Sequence, residues 1–190
     1  MAWWGTVIGG ALGWMFGGPI GAILGAALGG NFDRGISMGD MPGADERFGP
    51  GNQERVQAAF FTTTFSVMGH VAKADGHVST HEINIAKDIM AQMQLNAQQR
   101  KAAIKLFDQG KAADFPLHDI LQQFRQECHR RRNLIQMFIE IQIGTALADG
   151  KVDPKEKQLL YTIGQILGFS SGEIDHLFSI AGGASASASD

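Results

Sequence analysis

The chain has 190 residues, enough for an anchor and one domain of ordinary size, and carries a net charge of −3. That balance leaves no large basic face for nucleic acid. Its single cysteine, Cys128, excludes an internal disulfide framework and a four-cysteine zinc site.

From Ala2 to Phe32 there is no charged side chain, and glycine stands at every fourth position: Gly5, Gly9, Gly13, Gly17, Gly21, Gly25 and Gly29. In water each interior glycine costs a helix about 1 kcal/mol relative to alanine. In hydrocarbon the backbone must bond to itself, and small residues let a second helix approach closely. The run therefore predicts a transmembrane anchor over residues 1–34 that forms a homodimer through its glycine face. Fully helical, it would be about 45 Å long against a hydrocarbon core of ~30 Å. A single span, tilted or kinked at Pro19, is the preferred reading; two segments of a glycine zipper are the alternative. Trp3 and Trp4 suit the headgroup layer. The first basic residue is Arg34, so the positive n-region of a cleavable signal is missing. Arg34 and Arg47 favour a cytoplasmic C-terminal part in a single-pass topology.

Residues 35–52 are rich in glycine, with Pro42 and Pro50, and read as a flexible linker. Beyond it the period is helical, beginning with Val56, Phe60, Phe61, Thr64, Phe65 and Met68. Further helices are expected near 79–95, 97–109, 116–129, 130–148, 153–167 and 170–180. No alternating strand pattern appears, so residues 53–181 should form an all-α bundle of about seven helices. Residues 182–190 read as a low-complexity, mobile tail.

An internal repeat organises this region. Ala72–Glu82 (AKADGHVSTHE) returns 74 residues later as Ala146–Glu156 (ALADGKVDPKE). Two helix–loop–helix units related by a pseudo-twofold would bring the loops near each other. Ser79 with Glu82, and Asp153 with Glu156, have the spacing of capping boxes. Pro154 fits the first helical position, Gly76 and Gly150 a positive φ, and Val78 and Val152 an apolar plug. Capping leaves Asp75 and Asp149 unexplained, since an acid near a helix C-terminus is disfavoured. Brought together, Asp75, Glu82, Asp149 and Glu156 would make an all-oxygen site for Ca²⁺ or Mg²⁺. His70, His77 and His81 suggest a transition metal less well, because Lys151 and Lys155 replace the last two in the second copy.

The cluster Arg125, His129, Arg130, Arg131, Arg132 is a basic patch, suited either to anionic lipid or an acidic partner or simply to a solvated helix junction. Cys128 and His129 are adjacent on a helix and point about 100° apart, so they do not form a nucleophile pair. No P-loop, Rossmann glycine pattern, GxSxG or HExxH occurs, and nothing supports an enzyme.

Several segments together resemble the DjlA type of membrane-anchored DnaJ-like co-chaperone. They are Trp4-Gly5, Asn31-Phe32-Asp33, the run Ala59 to His70 (AFFTTTFSVMGH), Gln123-Phe124-Arg125, Met137 to Ile143 (MFIEIQI) and Ala148-Asp149-Gly150. The region 53–181 is similar to the TerB (tellurite-resistance) fold, an all-helical domain whose signature acids are associated with metal binding. That implication falls on Asp75, Glu82, Asp149 and Glu156. The resemblance implies a bacterial inner-membrane protein whose TerB-like domain binds or senses a partner. It also implies Hsp70 (DnaK) as partner through a J domain. None of the six histidines is followed by proline, so the His-Pro-Asp tripeptide of a J domain is missing from these residues. The chain as given is expected not to stimulate Hsp70 by itself. A metal-binding stress-response protein of the tellurite-resistance type, without chaperone activity, is the alternative.

Overall fold

The computed structural model describes residues 18–29, 52–148 and 150–187. These form eight α-helices and no strand: α1 (Pro19–Gly29), α2 (Asn52–Ala72), α3 (Thr80–Gln92), α4 (Ala97–Gly110), α5 (Leu117–Glu127), α6 (Arg132–Ala146), α7 (Pro154–Ile166) and α8 (Ser171–Ser187). The seven helices expected beyond the linker are α2 to α8.

Helix α2 is the hub. Val56 and every residue from Ala58 to Gly69 are buried, so the helix has no solvent face in that stretch. A helix apolar all round belongs in the middle of a bundle, and α1, α3, α4, α5, α6 and α7 all pack against it. Thr62, Thr63, Thr64 and Ser66 are enclosed with the aromatics. Ser66 Oγ donates to the Thr62 carbonyl at 2.6 Å, and the buried Gln142 Nε2 on α6 donates to the Thr64 carbonyl at 3.0 Å. The α2–α4 crossing is a backbone contact. A Cβ at Gly69 would lie 2.0 Å from the Phe107 carbonyl oxygen, and one at Gly110 would lie 1.7 Å from that of Ser66. His70 Nδ1 seals the crossing against the Gly110 carbonyl at 3.0 Å.

Helix boundaries follow local chemistry. Ser79, Asn96 and Asp153 are N-caps with capping boxes completed by Glu82, Gln99 and Glu156. Gly76 and Gly150 take φ of +96° and +81°, the left-handed turn expected of both repeats. Val78 and Val152 pack on the core beneath their loops. The repeat also shows in burial: Glu82, Ala86 and Met90 on α3 match Glu156, Leu160 and Gly164 on α7.

One expectation is corrected, and part of another is described. The tail expected over 182–190 is helical as far as Ser187, where α8 ends. Its alternating alanines and serines include the best helix former and no breaker after Gly183. The described part of the expected anchor, residues 19–29, is a helix packed on the domain. Ile20, Leu24 and Ala27 are 0%, 1% and 1% exposed, a stripe at helical spacing laid against α2, α4 and α5. The Ile20 N–H donates to Gln123 Oε1 at 2.9 Å. With its amide oriented to satisfy both groups, Gln109 spans the Ile23 carbonyl and the Ala27 N–H at 2.9 Å each. Among the described residues no helix is long and apolar enough to cross a membrane. Gly5, Gly9, Gly13 and Gly17 lie outside the described residues, as does the linker expected over 35–52 except Asn52, which begins α2. Gly21 is buried against the domain, and Gly25 faces open space.

Candidate functional site

The repeated loops meet. Helices α3 and α7 begin side by side, and a cleft of about 290 Å³ between them is lined by Asp75, Ser79, Glu82, Lys151, Asp153 and Glu156, among others. The local chemistry aims the glutamates inward. Glu82 Oε2 accepts from the Ser79 N–H at 2.7 Å, while Ser79 Oγ accepts from the Glu82 N–H at 3.1 Å. In the second copy Glu156 Oε2 accepts from the Asp153 N–H at 3.4 Å, and Asp153 Oδ1 accepts from the Lys155 N–H at 2.8 Å.

Each glutamate thus folds back over its own helix start, and the two carboxyl groups come together in the cleft. They are 7% and 6% exposed and hydrogen-bond to each other. Two carboxylates cannot hydrogen-bond unless one carries a proton. Burial is the largest cause pushing the Glu156 carboxyl up to about 8, followed by the Glu82 charge and its hydrogen bond, with a smaller push from Asp75. The Glu156 carboxyl therefore keeps its proton near neutral pH.

Of the four acids expected at a cation site, Asp75, Glu82 and Glu156 line the cleft; Asp149 lies outside the described residues. Asp75 has a local role that its sequence spacing did not reveal: Oδ1 accepts from the His77 N–H at 2.7 Å, closing the turn after α2. Among the described residues no cluster of three or more His, Cys, Asp or Glu side chains is placed to hold one metal ion. The donors at the cleft are nonetheless hard oxygens, and His77 and His81 are exposed away from the pair. That chemistry suits Ca²⁺ or Mg²⁺ rather than a transition metal.

The basic cluster surrounds the turn between α5 and α6. Arg130 and Arg131 are exposed. Arg125 Nη1 donates to the Ile166 carbonyl at 3.2 Å. Arg132 pairs with Glu173 at 2.9 Å and lies over the Phe169 ring. Cys128, between them in sequence, is fully buried, and burial with the neighbouring Glu127 pushes its thiol up to about 12. It is a core residue, as its place beside His129 on the chain implied.

Comparison with known proteins agrees with this architecture. The family model for tellurite resistance protein TerB matches residues 61–177, and that for the co-chaperone DjlA transmembrane domain matches residues 1–47. Among curated proteins, the co-chaperone protein DjlA of Photobacterium profundum is 42% identical over 174 residues, which is 90% of this chain and 63% of the relative. The DjlA of Yersinia pestis is 41% identical over 176 residues, 92% of this chain and 61% of that protein. The DjlA of Escherichia coli (strain K12) is 39% identical over 175 residues, 92% and 62% respectively. The chain thus spans a little over three fifths of the length of the curated relatives it matches. No solved structure matches it. A TerB match across most of the helical bundle, preceded by a DjlA transmembrane match, places the chain in the TerB family as a protein of the DjlA type.

Proposed function

We propose that this chain is the anchor and TerB portion of a membrane-bound co-chaperone. The observation that carries the reading is the similarity, at 39–42% identity over nine tenths of the chain, to proteins named co-chaperone DjlA. The uncharged run at the N-terminus would hold it in a bacterial inner membrane, with the helical domain on the cytoplasmic side. The glycine series would pair two copies in the bilayer. The domain would serve as the module that binds or senses a partner, and Hsp70 (DnaK) would be engaged through a J domain carried on the same protein.

The test has two parts. Expressed in bacteria, the chain should sediment with membranes and resist alkaline carbonate; recovery in the soluble fraction without detergent would remove the anchor. Fused ahead of a DjlA-type J domain, the chain should support a co-chaperone phenotype that is lost when a soluble helical domain takes its place, while the isolated J domain still stimulates Hsp70. An unchanged phenotype would show that this portion has no part in the activity.

A second reading rests on the meeting of the buried Glu82 and Glu156 carboxyls in one cleft. A buried pair of carboxyls at the meeting point of two helix starts would accept a hard divalent cation in place of the proton on Glu156. Glu82 and Glu156 would hold it, with Asp75 lining the same cleft. The cation would neutralise the pair and fix the two repeat halves against each other. Calorimetry of the detergent-solubilised chain with Ca²⁺ and Mg²⁺ tests this; no heat, or equal heat after Glu156→Gln, would dismiss it.

A further inference from the structure

The helix ends sort by charge. At one end of the bundle lie the start of α1, the starts of α2 and α6, the ends of α5 and α7, and the start of α8. Specific contacts tie them together. Gly18 and Pro19 share a cleft with Arg55, Gln123 and Glu127. Arg55 pairs with Glu127 at 2.8 Å. Arg125 reaches the Ile166 carbonyl, and Arg132 reaches Glu173. At the other ends of α6 and α7 lies the cleft of Asp75, Glu82, Lys151, Asp153 and Glu156, in which acids outnumber bases. Those two helices, of 15 and 13 residues, put about 20 Å between the two ends at 1.5 Å per residue. The overall charge of −3 conceals this separation.

The basic end is also where the uncharged residues 2–17 join the domain, because Gly18 begins the described chain beside Gln123. Of the carboxylates there, Glu127 is engaged by Arg55 and Glu173 by Arg132, while Asp119 lines the same cleft as Gly18 beside His118. Arg130 and Arg131 stand exposed on the turn between α5 and α6. The geometry points to the turn from Arg125 to Arg132 as a docking face for the anionic headgroups of the membrane into which the chain itself runs. Its ligand chemistry is a phosphate-bearing lipid surface. Docked so, the domain stands upright with the acidic cleft facing away from the bilayer. The inference rests on the membrane anchorage proposed above. An acidic protein partner fits less well, because Gly18, where the uncharged residues join, lies beside Gln123 on the same helix as Arg125.

Attraction of basic residues to an anionic leaflet strengthens docking about fivefold per arginine and is screened by salt. The test places the full chain in nanodiscs of phosphatidylcholine, with or without phosphatidylglycerol. Phenylglyoxal modification of each arginine is then followed by mass spectrometry. Slower modification of Arg130 and Arg131 in the anionic discs is expected, at least fivefold, reversed by high salt, with Arg100 unaffected. In the Arg130→Gln, Arg131→Gln chain the docking equilibrium should fall about 25-fold, and the protection of Arg125 with it. The Lys87→Gln, Lys101→Gln chain, which loses the same charge at exposed sites elsewhere, should keep that protection. Equal rates in the two kinds of disc would overturn docking alone. So would the same protection from inorganic phosphate in neutral discs, or equal loss in the lysine variant. Failure of the chain to enter discs at all would remove both the anchor and the docking face.

Discussion

Glu82 and Glu156, 74 residues apart in sequence, hydrogen-bond to each other where α3 and α7 begin. Each has a local duty as the third residue of its helix, accepting the N–H of its own cap. Their meeting is what the repeat achieves. The capping boxes orient both carboxyls, and the packing of the two halves buries them against each other at the cost of one retained proton.

That proton gives stability a pH dependence of defined sign. The folded protein holds Glu156 up to about 8, whereas the unfolded chain releases the proton near the ordinary value of 4.5. Stability from this source is complete below about 4.5 and is lost as pH rises towards 8, with a slope of at most about 1.4 kcal/mol per pH unit. Urea unfolding between these limits should show the decline. In Glu156→Gln, which keeps the shape and donates a hydrogen bond at any pH, the slope should largely disappear.

If a divalent cation binds the pair, it must expel the proton. Titration with Ca²⁺ at neutral pH in buffers of different ionisation enthalpy should then show release of close to one proton per ion. Affinity should rise with pH and level off above about 8, where Glu156 is already ionised. Affinity independent of pH across this window would place the ion elsewhere.

The α2–α4 crossing has no room for a side chain. Gly110→Ala sets a methyl group 1.7 Å from a backbone oxygen, which only separation of the two helices relieves. A loss of about 3 kcal/mol is expected, at the upper end for overpacking. Gly144→Ala, with nothing within 4 Å of its Cβ, should be neutral or slightly stabilising in helix α6. Denaturant midpoints of the two variants make the comparison.

Leu24 reports on where α1 resides. Fully enclosed in the domain, it should cost about 2–5 kcal/mol of domain stability when changed to alanine. The same change in a helix surrounded by lipid would leave the domain's unfolding midpoint unaltered.

Cys128 should be silent towards thiol reagents in the folded protein. Its thiol is enclosed and pushed up to about 12, so almost no thiolate exists at neutral pH. Labelling by iodoacetamide should follow unfolding, and rapid labelling under native conditions would contradict the packing around α5.

Much of this was legible because the signals were local. The capping boxes at Ser79 and Asp153, the glycines after α2 and α6 and the seven-helix period all depend on neighbours in sequence. The repeat correctly implied that the loops come together. What stayed hidden depends on distant partners. Thr62, Thr63 and Ser66 look polar in sequence and are buried because α2 is surrounded. Gly69 and Gly110 carry no mark of their mutual approach. The role of Asp75 in holding the His77 N–H was within reach of turn chemistry but was overshadowed by its doubled occurrence. Helix α1 was the largest surprise: an uncharged glycine-rich run has the same composition whether its neighbour is lipid or protein. Only Gln109 and Gln123, more than eighty residues away, show that a protein surface receives it.

The seat of α1 has a further consequence. If the chain is anchored as proposed, domain and bilayer would draw on one uncharged stretch, and each residue held by the first would be withdrawn from the second. With 19–29 docked, residues 2–17 remain for lipid; as a helix they would reach about 24 Å, short of a ~30 Å hydrocarbon core. Full crossing would pull Ile20 and Leu24 out of their groove, so the two hosts would compete for the same eleven residues.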